Sequence, residues 1–169
     1  MDFSKYRGSP ALQPLFTVTQ GSAAVNFNIP GLAGDSGIIY RLDFNLVNAA
    51  AGYMNFLFNG NASTLTASRV DYSNGAFFTG TSAVGFAYVH GIVPSICVGS
   101  IRLWGKTGGN RIAQAETVAH GTQPEAGVNR AVMEWTETVT ALTNVTIVGA
   151  GGGNINAGST VRVYADGAY

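Results

Sequence analysis

Ala141-Leu-Thr-Asn-Val-Thr-Ile-Val-Gly149, then Ala-Gly-Gly-Gly-Asn154, then Ile-Asn-Ala-Gly158-Ser-Thr-Val-Arg-Val-Tyr164 reads as strand, glycine-rich turn, bulge, strand. Val145 and Ile147 alternate with Asn144 and Thr146, and Val161 and Val163 alternate with Arg162 and Tyr164. Successive side chains on a strand point to opposite faces, so such period-two runs between Gly and Asn mark half-buried antiparallel strands. The stretch predicts a hairpin, with an all-β protein around it.

The same pattern recurs upstream. Ile39 to Val47 puts Tyr40, Leu42, Phe44 and Leu46 on one face and Arg41, Asp43 and Asn45 on the other. No helical face collects four large apolar residues at that spacing. Met54, Phe56 and Phe58 repeat the device and end at the turn signal Asn59-Gly60-Asn61. Leu15–Thr19 and Ala24–Ile29 predict short strands, closed by Pro30-Gly31. Ala62 to Ser82 is poorer in pattern and reads as loops or short edge strands, anchored by Phe77-Phe78. Ala83–Val93, Cys97–Trp104, Arg111–Val118 and Arg130–Thr138 bring the count to about ten strands, the spacing of a sandwich or barrel. Ile112–Val118 contains helix formers but alternates equally well as a strand. Met1–Pro14, polar and carrying Pro10 and Pro14, reads as an N-terminal arm, leaving 15–169 as a single β-sandwich domain. Gly99-Ser-Ile-Arg102-Leu-Trp104 echoes Gly158-Ser-Thr-Val-Arg162-Val-Tyr164 with one insertion, which fits related places in a jelly roll. The expected fold is therefore a jelly-roll-like antiparallel β-sandwich with a short N-terminal arm.

A chain of 169 residues supports one well-buried core. Charged residues make up 11% of it, against roughly 25% in ordinary soluble domains. Nine basic and nine acidic residues cancel, which argues against a phosphate-backbone binder and leaves nucleic acid out of the expected partners. So charge-poor a surface is weakly protected against self-association, as suits a protein buried in an assembly. Cys97, the single cysteine, lies between Ile96 and Val98 and reads as a small buried hydrophobe. No run of about 18 apolar residues predicts a membrane-spanning helix, and Met1–Gly8 lacks the apolar core of a signal peptide, so synthesis in a cytoplasm is expected.

Gly153-Asn-Ile-Asn-Ala-Gly-Ser-Thr-Val-Arg-Val-Tyr164 resembles the closing strands of β-sandwich proteins carried on tailed-bacteriophage virions, and Phe56-Leu-Phe-Asn-Gly60 resembles their Phe-Asn-Gly turn. The resemblance covers the last third of the chain and that central turn. It implies a non-enzymatic structural protein made in the host cytoplasm and carried on the capsid surface. Its partners would be the major capsid protein and itself, as a homotrimer, and it would decorate or cement the capsid by bridging subunits. On this reading Phe3, Tyr6 and Arg7 of the arm make the lattice or inter-subunit contacts. The alternative is a receptor- or carbohydrate-binding module of a head or tail fibre that stacks cell-surface glycans on Trp104, Trp135, Tyr72 or Tyr164.

Catalytic and cofactor motifs fail on spacing or context, so neither enzyme activity nor a cofactor is expected. Gly99 to Gly105-Lys106-Thr107 has five residues where a phosphate loop has four, and its middle is a strand. Val148-Gly-Ala-Gly-Gly-Gly-Asn154 lacks the final glycine of a dinucleotide fingerprint and leads into a strand, not a helix. His90 and His120 are far apart and read as core or edge residues. Glu134 and Glu137 have opposite parity on one strand and would face opposite sides of the sheet, which disfavours an acid–base pair. One cysteine excludes a cysteine-rich zinc site. The sequons at Asn61 and Asn144 carry no assignment.

Overall fold

The computed structural model describes residues 13–60, 65–73, 76–82, 85–89, 95–105, 108–120 and 126–168; between 65 and 89, and at positions 35, 120, 126 and 168, it describes the backbone alone. Twelve strands are seen among these residues: β1 (Phe16–Thr19), β2 (Asn26–Pro30), β3 (Ile38–Asn48), β4 (Gly52–Phe58), β5 (Leu65–Ser73), β6 (Ala76–Ser82), β7 (Gly85–Val89), β8 (Ser95–Trp104), β9 (Arg111–His120), β10 (Ala126–Trp135), β11 (Asn144–Val148) and β12 (Thr160–Ala168). They form an eight-stranded sheet, β1-β12-β3-β8-β9-β10-β5-β6, and a four-stranded sheet, β2-β11-β4-β7. Every pairing is antiparallel. The fold is an all-β, two-sheet sandwich. Its helical content among the described residues is two short 3-10 turns, so Ile112–Val118 resolves as strand.

Strand parity builds the core. Leu42, Phe44 and Leu46 of β3 and Ile101 and Leu103 of β8 point inward from the larger sheet, against Phe27, Ile29, Met54, Phe56, Phe58, Val145 and Ile147 of the smaller one. On β9 and β10 the inward residues include the small Ala113, Ala115, Ala119 and Ala131 beside Met133 and Trp135, and β7 packs against both strands.

The C-terminal stretch corrects the hairpin reading. β11 pairs with β2 and β4 in the smaller sheet, while β12 pairs with β1 and β3 in the larger one. The glycines between them carry the chain from one sheet to the other. Gly151 sits at φ 58°, and a Cβ there would come within 2.5 Å of the Ala51 carbonyl oxygen. A Cβ on Gly153 would meet Ala50 Cβ at 2.4 Å. Gly151 and Gly153 have no room for a side chain because their backbone lies directly on the Ala50–Ala51 corner. The bulge is also elsewhere, within β12 between Ala165 and Gly167. The Gly-Ser pair before β12 ties that strand to the end of β3. Buried Ser159 accepts the Val47 N–H through Oγ at 2.9 Å, while Asn156 N–H donates to Val47 O at 2.8 Å.

Two further expectations shift. Residues 62–82, read as loops or short edge strands, hold β5 and β6, nine and seven residues long. They form a hairpin that continues the larger sheet through β10, with β6 at its edge. Ladder hydrogen bonds to a neighbouring strand support them where large apolar alternation is thin. β10 begins at Ala126 and ends at Trp135, earlier than the predicted 130–138. The expected strand at 83–93 is seen as β7, with its remaining residues outside the described set.

One end of the core is organised by a charge. Arg111, at the start of β9, is fully buried. Its guanidinium lies over the Trp135 ring at 5.0 Å and donates to the carbonyls of Glu137 and Thr140. Trp135 in turn stacks on Phe58 of the opposite sheet, with centroids 5.3 Å apart. Replacing Arg111 by Ala should lower stability by about 3 kcal/mol in urea unfolding. Cys97 offers a second readout, because burial pushes its thiol up to about 12. A thiol reagent should leave the native protein unlabelled at mildly alkaline pH, and the Arg111→Ala variant should label faster through its larger unfolded population.

Candidate contact face on the larger sheet

The outer face of the larger sheet carries the densest grouping of exposed apolar and charged side chains among the described residues. β8 turns out Ile96, Val98, Ser100, Arg102 and Trp104; β9 turns out Ile112, Gln114, Glu116 and Val118; β10 turns out Val128, Arg130, Val132 and Glu134. Register aligns these residues into rows across the strands. Val98 pairs with Val118, and Val118 with Val128, giving an unbroken valine row over three strands. Together with Ile96, Ile112 and Val132 these aliphatics are 40–51% exposed, where Lys, Glu or Thr would be usual on a solvated sheet face.

The next two rows are charged. Ser100 pairs with Asp43 on β3 and with Glu116 on β9, and Glu116 pairs with Arg130. One row on, Arg102 pairs with Arg41 and Gln114. Ion pairs knit the rows: Arg41 Nε lies 3.2 Å from Asp43, Arg130 Nε 2.8 Å from Glu116, and Asp166 reaches Arg102 Nε at 2.8 Å and Arg41 at 3.6 Å. The β12 bulge aims Asp166 at both arginines, a placement that regular alternation does not predict. Between these groups lies an open groove of about 600 Å³ lined by Arg41, Asp43, Ser100, Arg102, Gln114 and Glu116.

The echoed strands come together here. β8 and β12 are the two partners of β3, so Arg102 and Arg162 flank its outer face. Arg162 pairs with Asp43, and Tyr164 with Arg41, whose guanidinium covers the Tyr164 ring at 4.6 Å.

Among the described side chains, the proposed aromatic platform does not assemble. Trp135 is 1% exposed inside the core, and Tyr164 is 9% exposed beneath Arg41, whereas Trp104 is half-buried on the outer face. These three therefore share no ligand surface. Tyr72 is described by its backbone alone, in register with Val128 and Phe77. Phe3, Tyr6 and Arg7 lie outside the described residues, as does His90. His120 falls at the end of β9, opposite Ile96 and Ala126. No group of three or more His, Cys, Asp or Glu residues able to hold a metal ion occurs among the described residues.

Glu134 and Glu137 need correcting as well. Glu134 is on β10 and accepts a 2.6 Å hydrogen bond from the Asn110 amide. Glu137 lies beyond the strand, because the chain turns after Trp135. Its carboxylate accepts the N–H groups of Val139 and Thr140 and lies 3.9 Å from Arg111. It is a turn-former, and these backbone donors, with Thr140 foremost, hold its pKa below the ordinary 4.5.

Comparison with family models, with curated proteins and with solved structures gives no match.

A carboxylate whose folded pKa is depressed stabilises the fold above its unfolded pKa and ceases to do so as pH falls through the folded value. Stability should therefore decline as pH is lowered below 4.5. Glu137→Gln should be less stable at neutral pH and should lose less on acidification, as read by thermal melts across that range. An acid profile of the variant parallel to that of the parent would remove Glu137 from this role.

Proposed function

We propose that this chain is a non-enzymatic structural protein of a tailed-phage virion. It is made in the host cytoplasm and carried on the capsid surface as a homotrimer, where it decorates or cements the particle by bridging neighbouring capsid subunits. The observation that carries this reading is the valine row with its flanking aliphatics on β8, β9 and β10, left half-exposed on a chain that is only 11% charged. Branched aliphatics aligned across adjacent strands form a flat apolar strip, and burying it against a neighbour in a lattice removes that area from water. A protein that binds only the assembled shell stabilises it by mass action. The arm residues Phe3, Tyr6 and Arg7 would add contacts to adjacent subunits.

The sandwich is further proposed to be a jelly roll. Support comes from nesting: β1 pairs with β12, β2 with β11, β3 with β8 and β4 with β7, and these four pairs alternate between the two sheets. Folding one long antiparallel hairpin over itself leaves that order. The β5–β6 and β9–β10 hairpins are then insertions that widen one sheet. The sequence that resembles phage closing strands is the β12 strand of this scheme and the Ser159 lock before it.

Light scattering and sedimentation with empty capsids of the source phage test the reading. A trimer that co-sediments in a saturable, lattice-matched ratio is expected. A Val118→Asp, Val128→Asp double variant should keep its melting temperature within a few degrees, since both side chains lie outside the core, and should bind capsids at least about tenfold more weakly. Failure of the parent protein to sediment with capsids would overturn the virion role; unchanged binding by the variant would overturn the contact face. A receptor- or carbohydrate-binding reading is favoured by one separate observation, the polar groove.

A further inference from the structure

We infer that the groove on the outer face of the larger sheet is a binding site for a neutral, hydroxyl-rich ligand, a segment of glycan. The inference goes beyond the virion reading and does not depend on it. The groove measures about 600 Å³, within the range of roughly 300–1,000 Å³ typical of small-molecule sites. All six lining residues are polar: they bring two guanidinium groups, two carboxylates, one amide and one hydroxyl, from Arg41, Arg102, Asp43, Glu116, Gln114 and Ser100. An apolar ligand would strip water from most of these groups without replacing its hydrogen bonds.

Charge narrows the class further. The two arginines of the lining cancel its two carboxylates. Each of these charged groups is already held in an ion pair, Arg41 to Asp43 and Asp166, Arg102 to Asp166, and Glu116 to Arg130. Within the lining, no cation is left without an ion pair for a phosphate or sulfate to replace, and no carboxylate without one for an amine. What the lining offers is hydrogen-bonding capacity. A guanidinium carries five donors and a carboxylate about four acceptor positions, so one ion pair uses only part of either. The serine hydroxyl and glutamine amide donate and accept at once. Sugar hydroxyls, each both donor and acceptor on adjacent carbons, are the common chemistry that satisfies such an alternating set.

Preorganisation is the independent argument. All six lining residues sit on β3, β8 and β9, in the middle of a continuous ladder, so backbone hydrogen bonds fix their spacing. The β12 bulge between Ala165 and Gly167 places the Asp166 carboxylate against both Arg41 and Arg102. The Arg41 guanidinium lies over the Tyr164 ring, 4.6 Å from its centroid. Both arginines are thereby held in one orientation before any ligand arrives, which reduces the ordering cost of binding. Trp104, the next outward residue after Arg102 on β8, is the aromatic at that end of the face.

The test uses the full chain in affinity electrophoresis through gels containing dextran, mannan or galactan, with heparin and polygalacturonate as anionic comparisons. Retardation by at least one neutral polysaccharide is expected, and it should be insensitive to added salt. Ser100→Ala and Gln114→Ala preserve every charge and lie outside the core; each should weaken retardation about tenfold. Asp166→Asn should weaken it as well, by freeing Arg102 and leaving Arg41 with Asp43 alone. These variants should sediment with capsids like the parent, whereas the Val118→Asp, Val128→Asp variant should retain sugar binding, so failure of one reading leaves the other standing. Absence of retardation in all three neutral gels would overturn the inference. So would binding that survives the Ser100→Ala, Gln114→Ala double substitution, or salt-sensitive preference for the anionic polymers.

Discussion

Taking a guanidinium out of water costs several kcal/mol unless other groups replace its hydration, and Arg111 is fully buried. Its replacements are the Trp135 ring, two backbone carbonyls at positions 137 and 140, and the nearby Glu137 carboxylate. Those groups belong to the segment leaving the larger sheet after β10, and that segment must cross to the smaller sheet to become β11. The Arg111 contacts define where the crossing begins. Asn59 defines where it ends: its Oδ1 accepts the N–H groups of Thr143 and Asn144, and its Nδ2 donates to the Ala141 carbonyl at 2.7 Å. Asn59 holds φ 49° to do so, a conformation Asn tolerates better than most residues. The crossing is thus pinned by one side chain from each sheet, and the Trp135–Phe58 stack between them joins the two layers directly.

Much of this could be read from the chain, and the failures share a cause. Alternation at period two tells which residues share a face, so the core faces of β3 and β4 follow from Tyr40–Leu46 and Met54–Phe58 without ambiguity. It does not tell which strand lies alongside. β11 and β12 are separated by a turn-like glycine run and alternate well, yet each belongs to a different sheet. Parity counted along β10 from Ala131 and Met133 puts Trp135 inside, which is enough to exclude it as a sugar platform. Arg111 carries no such signal, because a charged residue at a strand start ordinarily faces water. Only the joint presence of Trp135, the Glu137 turn and Phe58 makes its burial tolerable, and those lie on other segments.

The groove is illegible in the sequence for a related reason. Its residues come from the consecutive strands β8 and β9 and from the distant β3, and its key organiser, Asp166, reaches it through a bulge. A bulge breaks the alternation that sequence patterns depend on. The composition does carry a coarse trace. With so few charges in the chain, the gathering of three arginines and three acidic residues into ion pairs on one face leaves the rest of the surface poorer still. Charge here is concentrated, not spread for solubility.

The architecture itself argues that this face matters. A core of this kind is closed by the four nested strand pairs, and the smaller sheet needs no more than its four strands. The larger sheet nevertheless continues through β9, β10, β5 and β6, supplied by two hairpins inserted at different points of the chain and joined by the ladder between β10 and β5. Their inward side chains on β9 and β10 include four alanines, and Met133 and Trp135 also enter the core. Their outward side chains provide Gln114 and Glu116 to the groove and Val118 and Val128 to the apolar row. The extension therefore serves the surface as well as the interior.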